Sequence, residues 1–327
     1  MFRKLIAIAG NTFVETTRQP IYGILMWVAA LWIGVASPTL AGFTLEAGND
    51  IKIMMDVSLA TLMLYGLLAS VFSATSVISR EIESHTVLTV VSKPVSRPIF
   101  LLGKYLGVTG AVLIGSYLLT LVLFMTVRHG TMETAADKFD QPVLVFGLAA
   151  ILISLVAATF GNYVYGWNFV TTLTAWVVPL GTIALALVLL ISPDWQAQSP
   201  GTDFGDCQLL YAALTTFCGV LILAAFAVAL ATRFSLVVTL MFCAGIFLLG
   251  LLSDYYLGQP ALAGAGPLYS LLYAAVPNFQ FFWLGDPLTQ ELTVPIGHVL
   301  RVAGYSALYA LAVVALGAAL FQTREVG

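Results

Sequence analysis

The chain has 327 residues, 60% of them hydrophobic and only 9% charged, with a formal net charge of −3 and a mean hydropathy of +0.98. Soluble domains carry about 25% charged residues, and a water-soluble core of this size cannot hide so much apolar surface. These figures exclude a soluble enzyme and a nucleic-acid binder; they point to an all-α polytopic membrane protein forming one transmembrane domain over 1–327.

In chain order, residues 1–18 fit neither a loop nor a span. Phe2, Leu5, Ile6, Ala9 and Phe13 recur at helical spacing, while Arg3, Lys4, Asn11 and Glu15 fall elsewhere. That is the pattern of a helix lying along a membrane interface. Its apolar stretch is too short, and broken at Asn11 and Thr12, to read as a cleaved leader. The apolar runs that follow are read as helices, because lipid-exposed backbone must satisfy its own hydrogen bonds. About eight spans are expected, within the six to eight that the length allows at roughly 20 residues each. They are 21–37, 57–78, 99–127, 143–165, 170–191, 209–231, 236–253 and 296–321. Pro20, Pro38, Pro142 and Pro193 stand at span edges, where a missing N–H does least harm. On the third span Gly103, Gly107, Ala111 and Gly115 recur every fourth position, a small-residue face for close helix packing within the chain or against a second copy. Segment 254–295 holds Leu268, Leu271, Leu272 and Ala275 at helical spacing, then Phe279, Phe281, Phe282 and Trp283. It reads as one or two short helices dipping into the outer interface.

An even number of spans puts both termini on one side. That side collects Arg3, Lys4, Arg18, Arg80, Lys93, Arg97, Lys104, Arg233 and Arg324; the other has Lys52, Arg128, Lys138 and Arg301. Lys and Arg favour the cytoplasm, so cytoplasmic termini in a cell (inner) membrane are expected.

The connector 79–98 then lies in the cytoplasm. "REIESHTVLTVV" has no Gly or Pro and predicts a short helix over 80–91, ended by "KPVSRP" because residues before proline leave the helical region. Ser96 is placed to cap the next helix. Glu81, His85 and Leu88 share one face; Ile82, Thr86 and Thr89 share another. Positive-inside charge accounts for Arg80, Lys93 and Arg97. It does not account for two glutamates beside exposed Val87, Leu88, Val90 and Val91, a ridge suited to a groove on a cytoplasmic partner.

The stretch "SREIESHTVLTVVSKPVSRPIFLLGKYLG" resembles the segment between the second and third spans of ABC-2-type transporter permeases, which reads E-x-E-x-G-T, then S-K-P-V-S-R and G-K-Y-L-G. Glu81, Glu83, Thr86, 92–97 and 103–107 match, and His85 replaces the usual Gly. "ATRFSLVVTLMFCAGIFLLG" and "VPNFQFFWLGDPL" are similar to the subgroup containing the permease for copper-site maturation of nitrous oxide reductase. The resemblance implies an interfacial helix before the first span, a coupling helix at Arg80, Glu81, Glu83, His85 and Leu88, a second permease (identical or related), and a separate ABC ATPase. This chain has no G-x-x-x-x-G-K-[ST] to hold a nucleotide.

Chemistry of its own is not expected. His85, His129 and His298 form no H-E-x-x-H. The span middles lack Asp, Glu, Lys, Arg and His, which disfavours a proton-driven carrier. Cys207, Cys218 and Cys243 are read as small apolar fillers rather than a disulfide or zinc set, so no catalytic residue, metal or cofactor is assigned. His298 and Arg301 share a face and are expected to meet Asp286 or Glu291 at the outer interface. The expected function is a permease subunit that couples ATP hydrolysis elsewhere to movement of cargo or to conformational transmission. The alternative is a membrane scaffold or channel-like protein not driven by ATP.

Overall fold

The computed structural model describes residues 2–42, 50–83, 96–132, 138–290 and 292–322, with side chains except those of 79–83, Asp286, Thr289 and Gln322. Eight helices are long and apolar enough to cross a membrane: Pro20–Ala41, Asp50–Ile78, Arg97–His129, Gln141–Tyr165, Phe169–Leu190, Gln208–Ala231, Leu236–Leu262 and Ile296–Phe321. The chain is an all-α polytopic membrane protein. Among the described residues the only extended pairing is an isolated bridge between Ile191 and Ala197.

Local chemistry sets several helix ends. The Asp140 carboxylate accepts from Val143 N at 3.2 Å and opens the fourth span; Asn168 accepts from Thr171 N at 3.0 Å and opens the fifth. Between them Gly166 closes the fourth span in the left-handed region, at φ 68°, where a side chain would be strained. Ser96 stands at the start of the third span with extended backbone, but its side chain makes no capping bond. Pro98, in the first turn, offers no N–H there.

The second, third and sixth spans form the buried centre, and the fourth, fifth and seventh are mostly exposed around it. Small residues permit the close approach. Ala212, Ala213, Ala224, Ala225 and Ala227 of the sixth span are fully buried. Ser306 Oγ of the eighth span donates to Cys218 O at 2.5 Å.

Both described ends of the chain lie at one end of this bundle, the near end. The N-terminal helix Phe2–Thr17 does not rest on a bilayer alone: it packs along the third span. Ile8 meets Gly103, Ala9 and Thr12 meet Gly107, and Phe13 meets Gly110, so the two helices run in the same direction. Thr12, Thr16 and Thr17 are its buried residues, while Phe2 and Ile6 are exposed.

The far end is more built than expected. The seventh span runs through a π-turn, Asp254–Gly258, into Gln259–Leu262. A helix Pro267–Ala275, a 3-10 turn Phe279–Phe282 and a helix Gly285–Thr289 follow. Leu268, Leu271 and Leu272 are exposed, as suits an interface, but Phe279 and Phe282 are fully buried. Asn278 caps the 3-10 turn, accepting from Gln280 N at 2.9 Å. The two rings are turned into the bundle, Phe279 over Gly250 and Phe282 toward Gly219. Cys218 and Cys243 are buried, whereas Cys207 is exposed at φ 55° and is not a filler.

Candidate functional site: the near end of the second and third spans

The helix of the second span does not stop at Ile78. It continues unbroken from Asp50 to Glu83, because nothing from Leu67 to Glu83 breaks a helix. At 1.5 Å per residue its 34 residues reach about 51 Å, against roughly 30 Å for a hydrocarbon core. Arg80, Glu81 and Glu83 therefore ride on the last turns of a spanning helix rather than opening a separate one. His85 and Leu88, and the remainder of the expected 80–91 helix, lie outside the described residues.

Across the connector, Arg97 opens the third span. Its Nη1 donates to Phe321 O at 2.9 Å, and its guanidinium stands 5.5 Å from the Phe321 ring centroid. Phe100 stacks on the same ring at 6.2 Å. Arg233, in the turn between the sixth and seventh spans, donates to Leu320 O. Two cations thus meet the C-terminal carbonyls of the eighth span, which have no intrahelical partner and carry the negative end of the helix dipole. Lys104, two turns into the third span, is buried, with Nζ 5.5 Å from the Phe100 ring centroid. Sequence reasoning counted Lys104 only as one of the positive charges. Its signal was the neighbouring Gly103, which marks the face of the helix that is covered.

The small-residue face is occupied within the chain. A Cβ on Gly103 would stand 2.7 Å from Ile8 Cγ2, and one on Gly107 2.5 Å from both Ala9 O and Thr12 Cβ. Ala111 O accepts from Tyr22 Oη at 2.9 Å, and a Cβ on Gly115 would overlap Tyr65 Oη. Four-residue spacing drifts about 40° per step on a helix of 3.6 residues per turn. The stripe therefore meets the N-terminal helix, then the first span, then the second.

The far end holds two polar clusters. Arg128 Nε contacts Asp140 Oδ2 at 3.1 Å, Nη1 contacts Asp203 Oδ2 at 3.0 Å, and Nη2 donates to Ile191 O. Gln198 Nε2 donates to the same Asp203 oxygen at 2.7 Å. Tyr273 Oη donates to Asp254 Oδ1 at 2.9 Å and accepts from Asn278 Nδ2 at 3.1 Å. Burial lifts the Tyr273 phenol above its ordinary pKa; the Asn278 donation opposes that and the Asp254 bond adds to it. Arg301 Nε donates to Gly297 O at 3.1 Å; its expected partner Glu291 and the Asp286 side chain lie outside the described residues. His298 is half-buried, and its Nε2 has no partner among the described residues. Those residues also contain no group of three His, Cys, Asp or Glu able to hold a metal.

What the near end offers is ion pairing, helix-end hydrogen bonding and close packing, the means of moving helices together. Residues 7–162, from the N-terminal helix almost to the end of the fourth span, match the family described as ABC-2 family transporter protein. The match covers somewhat under half of the chain. No curated protein and no solved structure matches it.

Proposed function

We propose that the chain is the membrane-spanning subunit of an ABC-2-type transporter, working with a separate ABC ATPase and a second permease. The family match over 7–162 carries this reading. The unbroken Asp50–Glu83 helix supports it, because charges at its near end are rigidly joined to residues deep in the bundle. The connector 79–98 is the docking segment, with Arg80, Glu81, Glu83, His85 and Leu88 facing the ATPase. Both termini face the cytoplasm. Resemblance of 231–250 and 276–288 to the nitrous oxide reductase maturation subgroup makes copper-site assembly the first cargo context to test. The chain itself contributes coupling and not catalysis.

The test is co-purification of the ATPase from detergent. Glu81→Lys with Glu83→Lys, and separately Leu88→Asp, should weaken ATPase retention and uncouple hydrolysis while membrane insertion is kept. Two charge reversals undo any ion pairs in the groove, and a carboxylate at Leu88 puts an unpaired charge among apolar groups. Wild-type retention and coupling in both variants would remove 79–98 as the docking segment.

A further inference from the structure

The near end contains a cleft of ≈ 690 Å³ between the N-terminal helix, the start of the first span and the second span; Asn11, Arg18, Gln19, Ile24 and Ser76 are among its lining residues. Gln19 is 8% exposed, yet neither atom of its side-chain amide has a hydrogen-bond partner. A buried amide left unpaired is costly and rare, and signals a missing partner. Arg18, on the rim, is exposed and has no side-chain partner among the described residues. Glu15, which also lines the cleft, has a partner of its own. A cation, an amide with both donor and acceptor free, and a serine hydroxyl suit a phosphate ester.

The depth of the cleft in the bilayer follows from its neighbours. Asn168 Nδ2 donates to Arg18 O at 3.5 Å and Thr171 Oγ1 to Thr17 O at 3.2 Å, which sets Arg18 level with the turn between the fourth and fifth spans. That turn carries exposed Tyr163, Tyr165 and Trp167, the aromatic residues that sit at headgroup depth. A second cleft of ≈ 840 Å³ under this turn shares Arg18 and Pro20 with the first. From the first cleft an exposed apolar stripe, Ile24, Val28, Leu31 and Val35, runs up the first span.

We propose that this cleft holds the phosphate of a membrane glycerophospholipid, with Arg18 and the Gln19 amide on the phosphate and an acyl chain along the Ile24–Val35 stripe. The site does not depend on the chain being a transporter subunit.

The full chain, purified in detergent and stripped of lipid, is titrated with phosphatidylglycerol, phosphatidylethanolamine, phosphate-free diacylglycerol and inorganic phosphate. Native mass spectrometry counts bound lipid, and thermal melting reads stabilisation. Wild type should hold one phospholipid and melt higher with it. Arg18→Ala and Gln19→Leu should each weaken binding about tenfold or more, the size of one lost charge-assisted or buried hydrogen bond. Arg18→Lys, which keeps the charge, should fall between and controls for folding. Unchanged phospholipid binding in Arg18→Ala and Gln19→Leu overturns the site. Equal stabilisation by diacylglycerol overturns the phosphate contact, and equal stabilisation by inorganic phosphate overturns the lipid assignment.

Discussion

Arg128 ends the third span with its side chain 3% exposed, against an Asp140 side chain 5% exposed. Removing one member of a buried pair leaves the other charged without compensation, which typically costs about 3–5 kcal/mol. Arg128→Ala should lower the melting midpoint in detergent by that measure. Arg128→Leu combined with Asp140→Asn should recover much of the loss, since Asn still caps the fourth span and no buried carboxylate is stranded; equal losses in single and double variants would show that the pair is not the source. Gly107 makes a different residue-scale claim. Its Cβ position is blocked by the Ala9 carbonyl, which cannot move unless the N-terminal helix moves. Gly107→Ala should cost about 1–3 kcal/mol through overpacking, and Gly107→Leu should release the helix, read as thiol labelling of Thr12→Cys that is absent when Gly107 is kept. The small-residue spacing was legible in sequence; its partner was not, because the contact joins residues far apart in the chain. The Arg128 partners were hidden for the same reason: Arg128 read as a stray positive charge, and nothing local ties it to Ile191 or Asp203.

At the scale of elements, the spans were legible because each is an apolar window bounded by proline, glycine or charge. Their lengths were not. The second span begins at Asp50, seven residues before the first expected position, because Asp50, Lys52 and Asp56 are accommodated within the helix: Asp50 is buried, and Asp56 faces Gly285 and Trp283 of the far-end segment. Composition reads such charges as loop. At its other end, the same helix carries Arg80 to Glu83 as a rigid extension. If that extension transmits motion, stiffness matters as well as charge. Insertion of Gly-Gly between Ile78 and Ser79 costs about 2 kcal/mol of helix propensity and leaves every charge in place. Such a variant should retain the ATPase, with Glu81 and Glu83 still present, yet lose coupled activity. Full coupling would show that the helix is a tether and not a lever. The far-end segment was half legible: the helical spacing of Leu268 to Ala275 predicts the observed Pro267–Ala275 helix. The inward turn of Phe279 and Phe282 depends on Gly219 and Gly250, in two other spans, leaving room for them.

For the molecule as a whole, orientation is the property that every functional claim about the near end rests on, and three cysteines already present can report it. Cys218 and Cys243 are buried in the bundle, and Cys207 is exposed at the far end, at the start of the sixth span. The chain is thus a single-label protein without engineering. Nine Lys and Arg fall on the side of the termini and four on the other, and of those four Arg128 is locked in an ion-pair cluster. The asymmetry that orients membrane proteins therefore places the far end outside. A membrane-impermeant maleimide applied to intact cells should label wild type and fail to label Cys207→Ser. In that Cys207→Ser background, Arg3→Cys, exposed on the N-terminal helix, should react only after the membrane is permeabilised. The reverse pattern, with Arg3→Cys labelled from outside and Cys207 protected until permeabilisation, would invert the protein, put Arg80 to Glu83 on the wrong side for any cytoplasmic ATPase, and end the coupling proposal. It would leave the phospholipid site intact but move it to the opposite leaflet.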